Sequence, residues 1–468
     1  MTYWYGGRVQ GAGRTQPYRD CYVDLRYTAS CNQESPYFLS SDGDFLQADC
    51  LRFIGFEIEG WQASRDRGRL GIRDAYQSAI SGRQAMPRSL PFDFAAAPIC
   101  NDWIELNYEQ DENAILSYAE SLRDMGIEGS VFMIDDGWQP FYGEFSYDRA
   151  LIQNPRQLFK NLRKLGFLPM LWICPYVSPD QKLYRDLLAK SFVDAEPISW
   201  WNGYSAPLCL ENEEVVSELR KQLDRLMEDG AVGFKFDGGD SYFYRYSDPS
   251  RQEVGQRRLD AWVDLASEYT YNEVRVSRNA AFRPILSRLC DKSHSWGDQG
   301  LASLIADSLI QSMTGHLYSC PDMVGGGEYM SFQSHRLDSV DRKLFMRFLE
   351  ASVLMPSFQI SALPSRILDA DAMQHFHNLL ALRKSLMPEL KQLWERAATH
   401  LEPIIRPLEY ALDIKGGRLS MDCFALGDDI IVQPILSEDN SIRRLELPDQ
   451  FELIFGDIEK GPFVYRRK

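Results

Sequence analysis

The chain has 468 residues, 44% hydrophobic and 25% charged, with 67 acidic against 51 basic residues and a net charge of −16. This is the balance of a soluble globular protein long enough for two or three domains. Such acidity argues against nucleic acid and against an anionic membrane surface as partners, and it fits a neutral substrate.

The nine cysteines stand singly, at positions 21, 31, 50, 100, 174, 209, 290, 320 and 423, with no C-x-x-C pair. Several lie in apolar runs such as Leu171-Trp172-Ile173-Cys174, and they read as reduced thiols of a reducing compartment. The opening residues Met1-Thr2-Tyr3-Trp4-Tyr5-Gly6-Gly7 have neither a basic nor an apolar leader segment, and no apolar run is long enough to span a bilayer. The expected location is cytoplasmic.

Residues 1–92 carry short strand-like runs such as Tyr37-Phe38-Leu39 and Leu51-Arg52-Phe53-Ile54, which predict a β-rich N-terminal domain. Over residues 93–390 short apolar runs alternate with amphipathic stretches of helical length. The expected strands are Pro98-Ile99-Cys100, Val131-Phe132-Met133-Ile134, the run Leu168 to Ile173, and Gly233-Phe234-Lys235-Phe236. Val274-Arg275-Val276, Ser293-His294-Ser295-Trp296, Leu317-Tyr318-Ser319 and Phe358-Gln359-Ile360 follow, and a helix is predicted over 212–229. Repeated βα units imply a parallel α/β sheet, and eight of them a (β/α)8 TIM barrel; an open doubly wound sheet is the rival. Residues 391–468, with Cys423-Phe424-Ala425-Leu426 and Ile430-Ile431-Val432, suggest a small C-terminal β domain.

In such a barrel the active site lies at the C-terminal ends of the strands. Those ends read Ile134-Asp135-Asp136-Gly137-Trp138, Phe236-Asp237-Gly238-Gly239-Asp240, Ser277-Arg278-Asn279, Trp296-Gly297-Asp298-Gln299 and Pro321-Asp322-Met323, a recurrence of acids and aromatics at one rim. Lys235 and Asp237 lie two apart on a strand and share its inner face, where a cation would keep Asp237 ionised. Asp298, packed against Trp296, would be raised in pKa and able to hold a proton. Two carboxylates in those roles are the minimum equipment for glycoside hydrolysis. Phosphate-loop, dinucleotide and nucleophile-elbow motifs are absent. The six histidines offer no ligand cluster, so neither metal nor cofactor is expected.

Taken together, these stretches, with Trp4-Tyr5-Gly6-Gly7, Trp200-Trp201-Asn202-Gly203, Glu402-Pro403-Ile404-Ile405 and Phe424-Ala425-Leu426-Gly427-Asp428-Asp429, resemble glycoside hydrolase family 31 along nearly the whole chain. The likeness is greatest to the subgroup that contains the family's α-galactosidases. The resemblance implies a β-sandwich-like N-terminal region, a (β/α)8 barrel and a C-terminal β domain. It implies Asp237 as nucleophile and Asp298 as acid/base, with Asp135 or Asp136, Trp172, Trp201, Asn202, Lys235, Arg278, Trp296 and Asp322 lining the terminal-sugar subsite.

Three departures stand out. Trp296-Gly297-Asp298 is one residue shorter than the family's Trp-x-x-Asp spacing. Gln359 and Ser361 replace a histidine after the eighth strand, which bears on sugar preference. The flanking β regions look abbreviated, which leaves open how the mouth is closed and whether a homo-oligomer's second subunit helps. The expected function is a retaining exo-α-glycosidase acting on an oligosaccharide or glycoside through a covalent glycosyl-Asp intermediate, α-galactoside ahead of α-glucoside. The rivals are a transglycosidase of the same family and a catalytically silent carbohydrate-binding protein.

Overall fold

The computed structural model describes residues 1–9, 16–28, 30–61, 70–246 and 249–468. At its centre lie eight parallel strands: β1 (Ile99–Asn101), β2 (Ser130–Ile134), β3 (Phe167–Ile173), β4 (Gly233–Phe236), β5 (Tyr271–Val274), β6 (Leu286–Arg288), β7 (Ser319–Cys320) and β8 (Gln359–Ile360). Each pairs with its successor from β1 to β7, and β8 pairs with β1 in the register Gln359↔Ile99. A parallel bridge Met323↔Gln359, with Val324 N–H donating to Gln359 C=O at 2.8 Å, joins the seventh strand's exit to the eighth. The sheet closes, and the (β/α)8 barrel is the observed fold.

The strands that read most clearly are those buried on both faces. Ser130–Ile134 is buried throughout, and Phe167–Ile173 nearly so, as a sheet flanked by helices requires. The helices between them begin on side-chain caps. Asp111 caps Glu112–Asp124, Asn154 caps Pro155–Lys164, and Asn212 caps Glu213–Asp229, which ends at Gly230 with φ +119°. Each cap satisfies a helix N–H that has no partner within the helix.

Two strands differ from expectation. The fifth begins at Tyr271, three residues before the Val274-Arg275-Val276 run. The sixth is Leu286–Arg288 and not Ser293–Trp296. The reason is polarity inside the barrel: Asn272, Glu273, Ser287 and Arg288 are all buried, so neither strand presents an apolar run.

The N-terminal layer is built into the barrel rim. Trp4–Arg8 pairs antiparallel with Gln33–Ser40, and the two-residue strand Ser277–Arg278, just after β5, adds to that sheet in parallel through Ser277↔Gln33 and Arg278↔Glu34. At the other end Met387–His400 leads to a five-stranded antiparallel sheet spanning Ile405 to Arg467. One continuous apolar core runs from Tyr5 through the barrel to Val464.

Gly233 opens β4, the strand that leads to Asp237. A Cβ there would stand 1.8 Å from the Tyr271 carbonyl oxygen, whereas one at Gly297 would meet nothing within 4 Å. Overpacking of this kind costs roughly 1–3 kcal/mol. Gly233→Ala is expected to lower the thermal unfolding midpoint by several degrees and Gly297→Ala to leave it unchanged; equal midpoints would contradict the packing of β4 on β5.

Candidate active site

The C-terminal ends of the strands surround a cavity of about 520 Å³, within the range of small-molecule sites. Asp135, Asp136, Trp172, Trp201, Asn202, Lys235 and Asp237 all line it, so most of the residues expected from sequence converge there.

Asp237 leaves β4 onto Gly238 and Gly239, which have φ +67° and +77° and lie against Tyr176 and Trp262. Its Oδ1 accepts from Arg275 Nε at 2.7 Å and from the Gly238 N–H at 2.8 Å. Its Oδ2 accepts from Trp172 Nε1 at 3.1 Å and lies 4.0 Å from Arg288 Nη2. Burial pushes this carboxyl's pKa up, but Arg275, Lys235 and Arg288 more than offset that and hold it well below the usual carboxylate range. Asp237 is ionised, with Oδ2 the less encumbered oxygen.

Lys235 is not Asp237's direct partner. Its Nζ bonds Asp135 Oδ2 at 2.6 Å, and both side chains are buried. That Asp135 oxygen also accepts from Asn101 at 2.7 Å. Asp136, the next residue, accepts from Tyr142 Oη at 2.8 Å and Asn202 Nδ2 at 2.9 Å. Burial is the chief cause that raises its pKa, to about 7. The two adjacent acids are therefore unlike: one is locked in an ion pair, the other is held by neutral donors. Trp201, 48% exposed, lies at the mouth with the Arg275 guanidinium 5.0 Å from its ring centroid.

Five expected residues lie elsewhere. Arg278 turns away, donating to the Leu25 carbonyl at 2.7 Å. Trp296 donates to Asp341 at 2.8 Å and is not part of the cavity wall. Asp298 is exposed on the turn before the short helix Leu301–Ser303, outside the cavity. Asp322 is buried behind the wall, accepting from Arg288 Nη1 at 3.1 Å and from the Lys292 N–H at 2.7 Å. Gln359 is buried and bonds Glu273.

The displacement of the sixth strand accounts for Asp298. With β6 ending at Arg288, the acid at the rim is Asp291, which lines the cavity and is 48% exposed at its side chain. Arg288 Nη1 holds Asp291 Oδ1 at 2.7 Å, so one guanidinium faces both Asp291 and Asp237. Its Nε bonds Glu273 at 3.1 Å. Burial and then the Asp291 charge push the carboxyl of Asp322 beside it up to about 7, against the pull of Arg288. Arg275, Arg288 and Asp291 escaped the sequence reading. The available signal was a charged residue following the apolar Leu286 and Leu289, where the barrel interior demands a partner.

One further expectation fails. Cys31 and Cys290 form a disulfide across 259 residues, with Cα atoms 5.7 Å apart, and both line the cavity. The other seven cysteines are free.

Residues 99–393 match the model of the glycosyl hydrolases family 31 TIM-barrel domain. The chain is 31% identical to the myogenesis-regulating glycosidase of Mus musculus, over 95% of this chain and 70% of that protein. It is 28% identical to the sulfoquinovosidase of Escherichia coli, over 94% of this chain and 71% of that protein. A solved Flavobacterium johnsoniae dextranase of the same family, complexed with glucose, superposes with a TM-score of 0.80 at 15% identity. That match covers 100% of this chain and 65% of the dextranase, so the chain spans about two thirds of the solved relative's length. With the barrel closed and the family model matched across most of the chain, the protein belongs to glycoside hydrolase family 31, a family of glycosidases.

Proposed function

We propose that the chain is a retaining exo-α-glycosidase that removes a non-reducing terminal α-linked hexose, α-galactoside ahead of α-glucoside. The carrying observation is that Asp237 and Asp291 face one cavity, linked through Arg288. In this reading Asp237 Oδ2 forms a bond to the anomeric carbon as the glycosidic C–O bond breaks, and Asp291 gives its proton to the departing oxygen. Asp291 then takes a proton from a water that attacks the same carbon and releases Asp237. A strong cationic environment suits the first role. Partial exposure suits the second, because the leaving group must depart on that side.

Two other acids of the cavity, Asp135 and Asp136, fit these roles less well. Asp135 is committed to Lys235, and Asp136 accepts from Tyr142 and Asn202, which favours gripping sugar hydroxyls. The order of sugars rests on likeness to the galactosidase-containing subgroup. The relatives include an α-xylosidase of Lactiplantibacillus pentosus and a sulfoquinovosidase, so the assay must include those sugars.

The test is a panel of p-nitrophenyl α-galactoside, α-glucoside, α-xyloside and α-sulfoquinovoside, each paired with the methyl glycoside of the same sugar as a poor leaving group, with variants alongside. Asp237→Ala is expected to lose at least roughly 10⁴-fold in kcat, as the loss of a catalytic nucleophile does. Asp291→Asn is expected to lose roughly 10²–10⁴-fold on substrates with poor leaving groups, and Asp298→Asn to keep wild-type rates. Loss in Asp298→Asn with full activity in Asp291→Asn would return the acid/base role to Asp298. Turnover of the xyloside alone would overturn the hexose assignment, and turnover of the sulfoquinovoside alone would overturn the galactoside and glucoside assignments.

Asp136 generates a pH prediction. Its folded-state pKa, about 7, lies above the unfolded carboxylate value. Its contribution to stability is therefore complete below about pH 4 and is lost as pH rises through 7. An ionised Asp136 accepts sugar hydroxyls more strongly than a protonated one. Affinity for the released sugar, read as product inhibition, is expected to rise between about pH 6 and 8, and Asp136→Asn should abolish that rise. A flat wild-type profile would remove Asp136 from sugar binding.

A further inference from the structure

The Cys31–Cys290 bond lies between the two carboxylates' supports. Cys290 immediately precedes Asp291, and its N–H donates to Asn32 Oδ1 at 2.7 Å. Cys31 lies on the other side, where its carbonyl accepts from Arg275 Nη1 at 2.9 Å. That same Arg275 fixes Asp237 Oδ1 through Nε. Gln33, two residues on, donates its side-chain N–H to the carbonyls of both Arg275 and Arg288. One covalent link thus joins the backbone beside Asp291 to the backbone that orients Asp237's arginine.

We infer that the Cys31–Cys290 disulfide is a positioning element that sets Asp291 against Asp237, and that a dithiol can release it. This rests on the assignment of Asp291 as acid/base. The separation of the two carboxyl groups decides the chemistry of a glycosidase, about 5–5.5 Å being required for retention. Apart from the disulfide, Asp291 is steadied by Arg288, and through its neighbour Lys292, whose N–H bonds Asp322 at 2.7 Å. Those contacts are to the barrel itself, and the Cys290 N–H bond to Asn32 is the hydrogen bond that accompanies the disulfide from the N-terminal layer. The disulfide is the covalent restraint from the N-terminal layer, on the side where Asp291 is open to solvent.

Cys31 and Cys290 are half-buried and line the cavity, so a small dithiol entering the mouth reaches them. One thiolate of the dithiol attacks a cysteine sulfur, the S–S bond breaks and a mixed disulfide forms. The second thiol closes the dithiol's own ring disulfide. Two electrons and two protons pass to Cys31 and Cys290, which end as thiols.

The experiment first maps the disulfide by non-reducing peptide mass spectrometry, then compares oxidised protein, dithiothreitol-reduced protein and the Cys31→Ser/Cys290→Ser variant. Two glycosides of one sugar are used, one with an activated leaving group (the glycosyl fluoride) and one with a poor one (the methyl glycoside). Breaking the bond is expected to lower kcat/KM, which reports the glycosylation step, on the methyl glycoside roughly 10-fold or more and on the fluoride less than about 2-fold, because only the former needs a placed acid in that step. Reoxidation should restore the rate. Hydrogen exchange over residues 289–299, measured without substrate, should quicken on reduction. The inference is overturned if no Cys31–Cys290 peptide is found, if both substrates slow alike, or if rate and exchange stay unchanged once the bond is broken. Should no glycoside be turned over even by the oxidised protein, the glycosidase reading fails, while the exchange measurement still decides whether the bond holds the loop.

Discussion

A carboxylate buried at the floor of a cavity is the constraint from which the rest of the site follows. Asp237 can stay charged there only because Arg275, Lys235 and Arg288 surround it, and each of those cations is itself buried and needs its own acids. Arg275 answers to Asp240, Lys235 to Asp135, and Arg288 to Glu273, Asp322 and Asp291. Charge neutrality therefore propagates from one strand end to the next, from β2 through β7. Buried ion pairs contribute little net stability because desolvation opposes them, yet removing one partner leaves an uncompensated charge. Such a network acts chiefly as a geometrical specification: no member can move without stranding another.

The legible part of the sequence was the part whose burial is apolar. The second and fourth strands present hydrophobic runs that stop at unusual polar residues, and those endings mark Asp135, Asp136 and Asp237, while Trp172 sits within the equally apolar third strand. The fifth and sixth strands are short and carry Asn272, Glu273, Ser287 and Arg288 inward, so no hydrophobic period announces them. The same network that ionises Asp237 erased the pattern by which the neighbouring strands could have been found. Reading the sixth strand at 293–296 then moved the rim seven residues, from Asp291 to Asp298. The disulfide was beyond reach for another reason, since nothing local relates two cysteines 259 residues apart.

Fold and specificity separate in this molecule in the usual way for a barrel. The strands fix the charged floor, while the walls come from connecting segments, with Tyr108 and Trp103 after β1, Trp201 and Asn202 after β3, and Tyr329 and Met330 after β7. Barrels of one family act on different sugars because the loops at this face vary over a constant floor. The half-exposed Trp201 stacked over Arg275 joins the two levels, since its ring both faces the substrate's path and covers the cation that holds Asp237.

The short strand Ser277–Arg278, which extends the N-terminal sheet from within the barrel's own sequence, decides where the molecule can be divided. Because the sheet is completed by a segment following β5, and because Gln33 reaches the carbonyls of Arg275 and Arg288, a barrel cut free of its N-terminal layer would lose both the strand pairing and those hydrogen bonds. Exchanging either part alone for a foreign one would have to reproduce the Ser277–Arg278 pairing and the Gln33 contacts together. The unit that can be moved whole is therefore larger than the barrel.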